Sequence, residues 1–143
     1  MKIKDFLGRL DEAEEDNKKT GFHTDIEKAT VENDYFRKVL FTGPNSQLVV
    51  MSLKPGEDIG TETHNELDQF IRVDKGSGTA VIAGKEYELK DGSAFIITAG
   101  SEHNVTASED EELKIYAVYT APNHPDMVID KTKADAQERE ESE

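Results

Sequence analysis

The chain has no cysteine among its 143 residues, which excludes disulfides and thiolate metal sites. It has no apolar run near the ~20 residues that cross a bilayer as a helix. It is also short of positive charge. The 17 basic residues face 31 acidic ones, for a formal net charge of −14. A surface this acidic repels phosphate backbones and anionic lipid, which argues against nucleic acid or a membrane as partner. Met1-Lys2-Ile3-Lys4 opens with positive charge, but no apolar h-region follows. No signal peptide is therefore expected, and the cytoplasm is the expected location.

What remains is enough chain for one domain with a modest core. Charged residues make up 34% and hydrophobic residues 35%. The excess charge sits at the two ends. Residues 1–20 read as a helical extension, because Ile3, Phe6, Leu7, Leu10 and Ala13 recur at helical spacing. The spacing predicts a helix over 3–17, weakened by Gly8 and ended by Lys18-Lys19-Thr20-Gly21. Its Phe6/Leu7/Leu10 stripe serves either to dock on the domain or to contact another copy.

Residues 21–129 read as β-structure. Expected strands are Thr24–Ala29, Tyr35–Phe41, Gln47–Leu53, Gln69–Val73, Gly78–Ala83, Lys85–Glu88, Ser93–Ile97, Glu102–Ala107 and Leu113–Thr120. Gly43-Pro44-Asn45-Ser46, Ala83-Gly84-Lys85 and Lys90-Asp91-Gly92 supply turn chemistry between them. Many short strands with no intervening helix exclude a parallel α/β sheet and predict an all-β sandwich or closed barrel. Pro122 and Pro125 end the pattern. Residues 130–143 carry six acids and three bases with almost no apolar side chain. They are expected to form a disordered tail or a frayed helix.

Two segments carry the candidate chemistry. One runs from Gly56 through Glu62-Thr63-His64 and Gln69 to Gly76. The other runs from Gly92 through Thr98-Ala99-Gly100 to His103. Their spacing resembles, at every anchor, the two sequence motifs of the cupin superfamily. The resemblance covers roughly residues 22–125 and implies a double-stranded β-helix, a jelly-roll barrel. It implies four metal-ligand positions pointing into the barrel, here Glu62, His64, Gln69 and His103. It also implies a homodimer through the barrel sheets. The segments Gly21–Lys28, Leu53–Gly60, Asp68-Gln69-Phe70 and Lys131–Ala136 are similar to small single-domain cupins described as mannose-6-phosphate-isomerase-like. That label does not establish an isomerase.

The family set of three histidines and one glutamate is altered here. Glu62 stands at the first histidine position and Gln69 at the glutamate position. The formal ligand charge stays at −1, because the carboxylate has only changed place. Glu62, His64 and His103 then form a two-histidine, one-carboxylate set, as in non-haem Fe(II) sites, and Mn, Ni or Zn also suit it. Gln69 would bind through its carbonyl oxygen or orient a water. The β period agrees in part. Glu62 and His64 are two apart and share a face, as do Gln69, Ile71 and Val73, while Asp68 points away.

Other polar and aromatic residues have plainer readings. Thr98 replaces the usual proline before His103. Asn104 reads as a backbone-capping residue and Arg72 as a paired or solvated strand residue. Phe95, Tyr116 and Tyr119 read as core. His23 and His124 read as surface residues, although the stretch holding His124 could fold back over the barrel mouth.

Three functions stay open. The first is a metal-dependent enzyme on a small polar molecule: an oxygenase, isomerase or decarboxylase. The second is a metal-free small-ligand-binding module, in which the histidines are satisfied barrel residues around a polar pocket. The third is a mainly structural protein that makes contacts through its charged ends. Fold does not choose among them.

Overall fold

The computed structural model describes residues 20–142. The predicted helix over 3–17 lies outside them. A short helix, α1 (Ile26–Glu32), comes first. Nine strands follow: β1 (Arg37–Thr42), β2 (Gln47–Leu53), β3 (Asp68–Gly76), β4 (Gly78–Ile82), β5 (Lys85–Leu89), β6 (Ala94–Ile97), β7 (His103–Ala107), β8 (Leu113–Thr120) and β9 (Ile129–Asp130). A second helix, α2 (Lys133–Glu141), ends the described chain. No helix among these residues is long and apolar enough to cross a membrane.

The strands form two antiparallel sheets. One has the order β6-β3-β8-β2-β1-β9 and the other β5-β4-β7. The expected jelly-roll barrel is therefore what the chain builds. Period-2 burial explains why the sheets close on each other. Val49, Met51 and Leu53 of β2, Ile71 and Val73 of β3, Val105 of β7, and Ile115 and Ala117 of β8 all point inward and are buried. The segment before β3 lies along β7, with bridges between Asp58 and Thr106 and between Glu62 and His103.

Gly76 shows why the first motif must end in glycine. Its φ is +99°, and a Cβ there would lie 1.9 Å from the Glu112 carbonyl oxygen. The backbone of β3 passes too close to the approach to β8 for any side chain.

Two expectations change. Thr24–Ala29 is not a strand. Asp25 caps α1 instead, its Oδ1 accepting from the Lys28 amide at 3.2 Å, with Glu27 in the first turn. Ile26, Ala29 and Thr30 then fall on one helical face, which packs on the outside of the larger sheet.

The second is the tail, where the disordered alternative gives way to the helical one. Lys131 and Thr132 lead into an ordered helix rather than a disordered end. Thr132 caps α2 by accepting from the Asp135 amide at 3.1 Å. The helix is almost wholly polar, so ion pairs hold it where apolar burial cannot. Arg139 grips Asp130 of β9 with bonds of 3.0 and 2.8 Å, and Lys133 bonds Asp58. Only Ala136 is buried from its length.

Candidate metal centre

The site begins with backbone pairing. Glu62 and His103 face each other and exchange both main-chain hydrogen bonds, each at 2.9 Å. Their side chains therefore leave adjacent strands on one face. Gly100, at φ +86°, donates its amide to the His64 carbonyl at 2.7 Å and ties the second motif's loop to the first. Asn104, as expected, caps backbone: its Oδ1 accepts from the Gly60 and Val105 amides at 3.0 and 2.9 Å. Its Nδ2 donates to Asp58 at 2.8 Å.

These restraints bring ligand atoms of Glu62, His64 and His103 within 4.8 Å of one another. The imidazoles of His64 and His103 lie 5.3 Å apart, tilted by 49°. His103 is nearly buried. Its Nδ1 lies 2.9 Å from the Ser101 carbonyl oxygen. A carbonyl only accepts, so Nδ1 is the donor in this bond, and in the neutral tautomer the lone pair lies on Nε2. His64 Nε2 donates to Glu62 Oε2 at 3.1 Å. Burial opposes the charge on Glu62, but the hydrogen bond and charge of His64 outweigh it. Arg37 and His103 add to that, and the carboxyl is held below its ordinary range.

Gln69 sits across the barrel on β3, opposite Tyr119 of β8. It is 3% exposed, and its carbonyl oxygen Oε1 has no hydrogen-bond partner among the described residues. A buried acceptor without a donor is costly. A cation or a water held inside the barrel would satisfy it. The three side chains that converge, two imidazoles and one carboxylate, are a donor set that suits a divalent metal.

Family membership follows from comparison with known proteins. The Cupin domain family matches residues 49–119. A protein of Acanthamoeba polyphaga mimivirus is 38% identical over 119 residues, spanning 80% of this chain and 74% of that one. The chain belongs to the cupin family.

This cupin is also 40% identical over 121 residues to the protein YrkC of Bacillus subtilis (strain 168). That match covers 80% of this chain and spans 65% of the length of YrkC. The crystal structure of BH2720 from Bacillus halodurans superposes with a TM-score of 0.80 at 39% identity. The superposition covers 82% of this chain and 93% of that one.

Part of the cupin's interior wall has no counterpart among the sequence expectations. Tyr119 is core, as expected, but its ring also meets His64 edge-on at 6.1 Å. Burial pushes its phenol above the ordinary range; Arg37 opposes this, while Glu62 and Glu140 add to it. His124 is no surface residue. The Asn123-His124 segment folds back and is clamped by buried Gln47. Gln47 Oε1 accepts from the Asn123 and His124 amides at 3.1 and 2.9 Å, and its Nε2 donates to the His124 carbonyl at 2.7 Å. The His124 ring stands 5.3 Å from that of Tyr119, with Nε2 3.3 Å from the phenol oxygen. Burial first, then Arg37, Arg139 and His64, depress its pKa from 6.5 to about 3. A period-2 clue did exist for Arg37, which shares the inward face of β1 with Val39. His23 is exposed, and Arg72 pairs with Asp74 at 3.2 Å. Both agree with expectation.

Proposed function

We propose that this cupin binds a divalent metal ion through Glu62, His64 and His103, with the Gln69 carbonyl as a fourth donor. The metal would bind or activate a small polar molecule in the barrel. The observation that carries the reading is the buried Gln69 oxygen left without a partner among the described residues, beside Tyr119 in the larger sheet. The hydrogen bond from His103 to Ser101 supports it, because it occupies Nδ1 and leaves Nε2 as the ring nitrogen available to a metal. Such an ion supplies Lewis-acid polarisation of a ligand oxygen. Tyr119 packs against His64 and His124 packs against Tyr119, so the rings hold the ligand set in place and keep water away from one side.

Elemental analysis of protein purified without chelator tests the reading. About one metal per chain is expected, lost in His64→Ala and His103→Ala. Full metal content surviving both substitutions sinks it.

One observation favours a second reading, a metal-free binding module. His64 and Glu62 already satisfy each other at 3.1 Å. That reading predicts thermal midpoints indifferent to EDTA and to added Mn, Fe, Ni or Zn. An ion that binds only the native state raises the midpoint by mass action.

A further inference from the structure

The geometry points to Arg37 as an anion-recognition residue of this interior: the ligand is a small molecule bearing a carboxylate, which Arg37 receives in exchange for the side chain of Glu140. The inference rests on the reading of Glu62, His64 and His103 as a metal site in the same barrel interior.

Arg37 points inward from β1, two residues before core Val39, and is 2% exposed. A guanidinium in a barrel interior is costly, and an apolar side chain of similar volume usually stabilises more. Its charge acts on Glu62, on Tyr119 and on His124 alike, so it belongs to the surroundings of the proposed metal ligands. Its Nε is buried and has no hydrogen-bond partner among the described residues. The guanidinium is thus buried, charged and incompletely satisfied.

Its present occupants show what it prefers. Arg37 NH1 donates to Glu140 Oε1 at 3.0 Å, while Asp130 stands off at 3.7 Å. Asp130 is taken by Arg139, which grips both of its oxygens. Glu140 is held more loosely, with Arg139 standing 3.7 Å from it. It is 45% exposed and comes from the last turn of α2, so its carboxylate reaches in from the surface. Helix ends open at low free-energy cost. A carboxylate on a free ligand offers the same planar acceptor pair and can also meet Nε. Glu140 is then an internal competitor that keeps the guanidinium neutralised until such a ligand arrives.

A purely mechanical role, in which the Arg37–Glu140 pair only straps α2 to the barrel, predicts something different. Removing Glu140 would then lower stability and leave ligand affinity alone. Calorimetric titration separates the two. The probes are succinate, its neutral analogue succinamide, and inorganic phosphate. They are applied to full-length wild type, Glu140→Ala and Arg37→Gln, with metal content measured on the same samples.

Succinate is expected to bind Glu140→Ala several-fold more tightly than wild type. Loss of Arg37 should weaken it at least about tenfold, as for a lost charged hydrogen bond. Succinamide should bind none of them. Equal succinate affinity in wild type and Glu140→Ala overturns the inference. So does an absence of succinate binding to both, equal binding of succinamide, or tighter binding of phosphate than of succinate. Glu140→Ala alone is decisive if Arg37→Gln does not fold. Absence of metal from the wild type would instead count against the metal reading, while the Glu140 effect on succinate still decides the role of Arg37.

Discussion

Acidification should expose His124 as a pH-sensitive element of the fold. In the folded chain the ring is packed against Tyr119 and sees Arg37 from β1, Arg139 from α2 and His64. All of these disfavour the imidazolium, and its pKa falls to about 3. In the unfolded chain it returns to about 6.5. Above that value both states hold a neutral ring, and the stabilisation is fully present. As pH falls below it, the unfolded state takes up a proton that the folded state refuses. Each pH unit is worth about 1.4 kcal/mol, so between pH 6.5 and 5 the loss is about 2 kcal/mol. It continues to grow until the pH reaches the folded value.

The assay is urea unfolding at pH 7 and pH 5 for wild type and His124→Gln. Most carboxylates stay ionised in that window, and the other histidines are common to both proteins. The difference between the two losses therefore reports His124. Wild type should lose about 2 kcal/mol more than the variant. Equal losses would refute the claim that this ring is held neutral by burial and by its cationic neighbours.

Three further outcomes follow from particular contacts. Gln69→Leu removes a buried acceptor that has no donor, so the metal-free protein should be as stable as wild type or more so, while metal affinity falls; a large loss of chelator-treated thermal stability would contradict this. Gln47→Leu strands the two amides and the carbonyl of the Asn123-His124 segment, and should cost about 2–4 kcal/mol in chemical denaturation. Gly76→Ala forces a Cβ against the Glu112 carbonyl at positive φ and should cost more than about 3 kcal/mol, or prevent soluble expression; a near-native melting midpoint would show that the backbone relaxes there.

Strand positions were largely legible, because short β-branched and apolar runs bounded by turn residues, such as Gln47–Leu53 and Leu113–Thr120, are the strands that form. The convergence of Glu62, His64 and His103 was legible too, since motif spacing reports the register that pairs Glu62 with His103. The α1 helix is signalled only by Asp25 at its N-cap and by the Ile26, Ala29, Thr30 spacing, which compete with β-branched residues that favour a strand. The Lys133–Glu141 helix had no apolar stripe to announce it.

The amino-acid order alone determined a run of short strands closing as a sandwich or barrel, because these depend on local turns and on a period of two, and its two glycine-bounded motifs supplied four candidate ligands through their resemblance to the cupin motifs. Only the tertiary structure decided that Arg37 is buried, that His124 turns back against Tyr119, and that a polar helix closes on the barrel through Arg139 and Glu140. The first and last rest on charge pairs 9 and 103 residues apart and the second on the Gln47 amide 77 residues from His124, and pairings of that kind leave no periodic trace in the sequence.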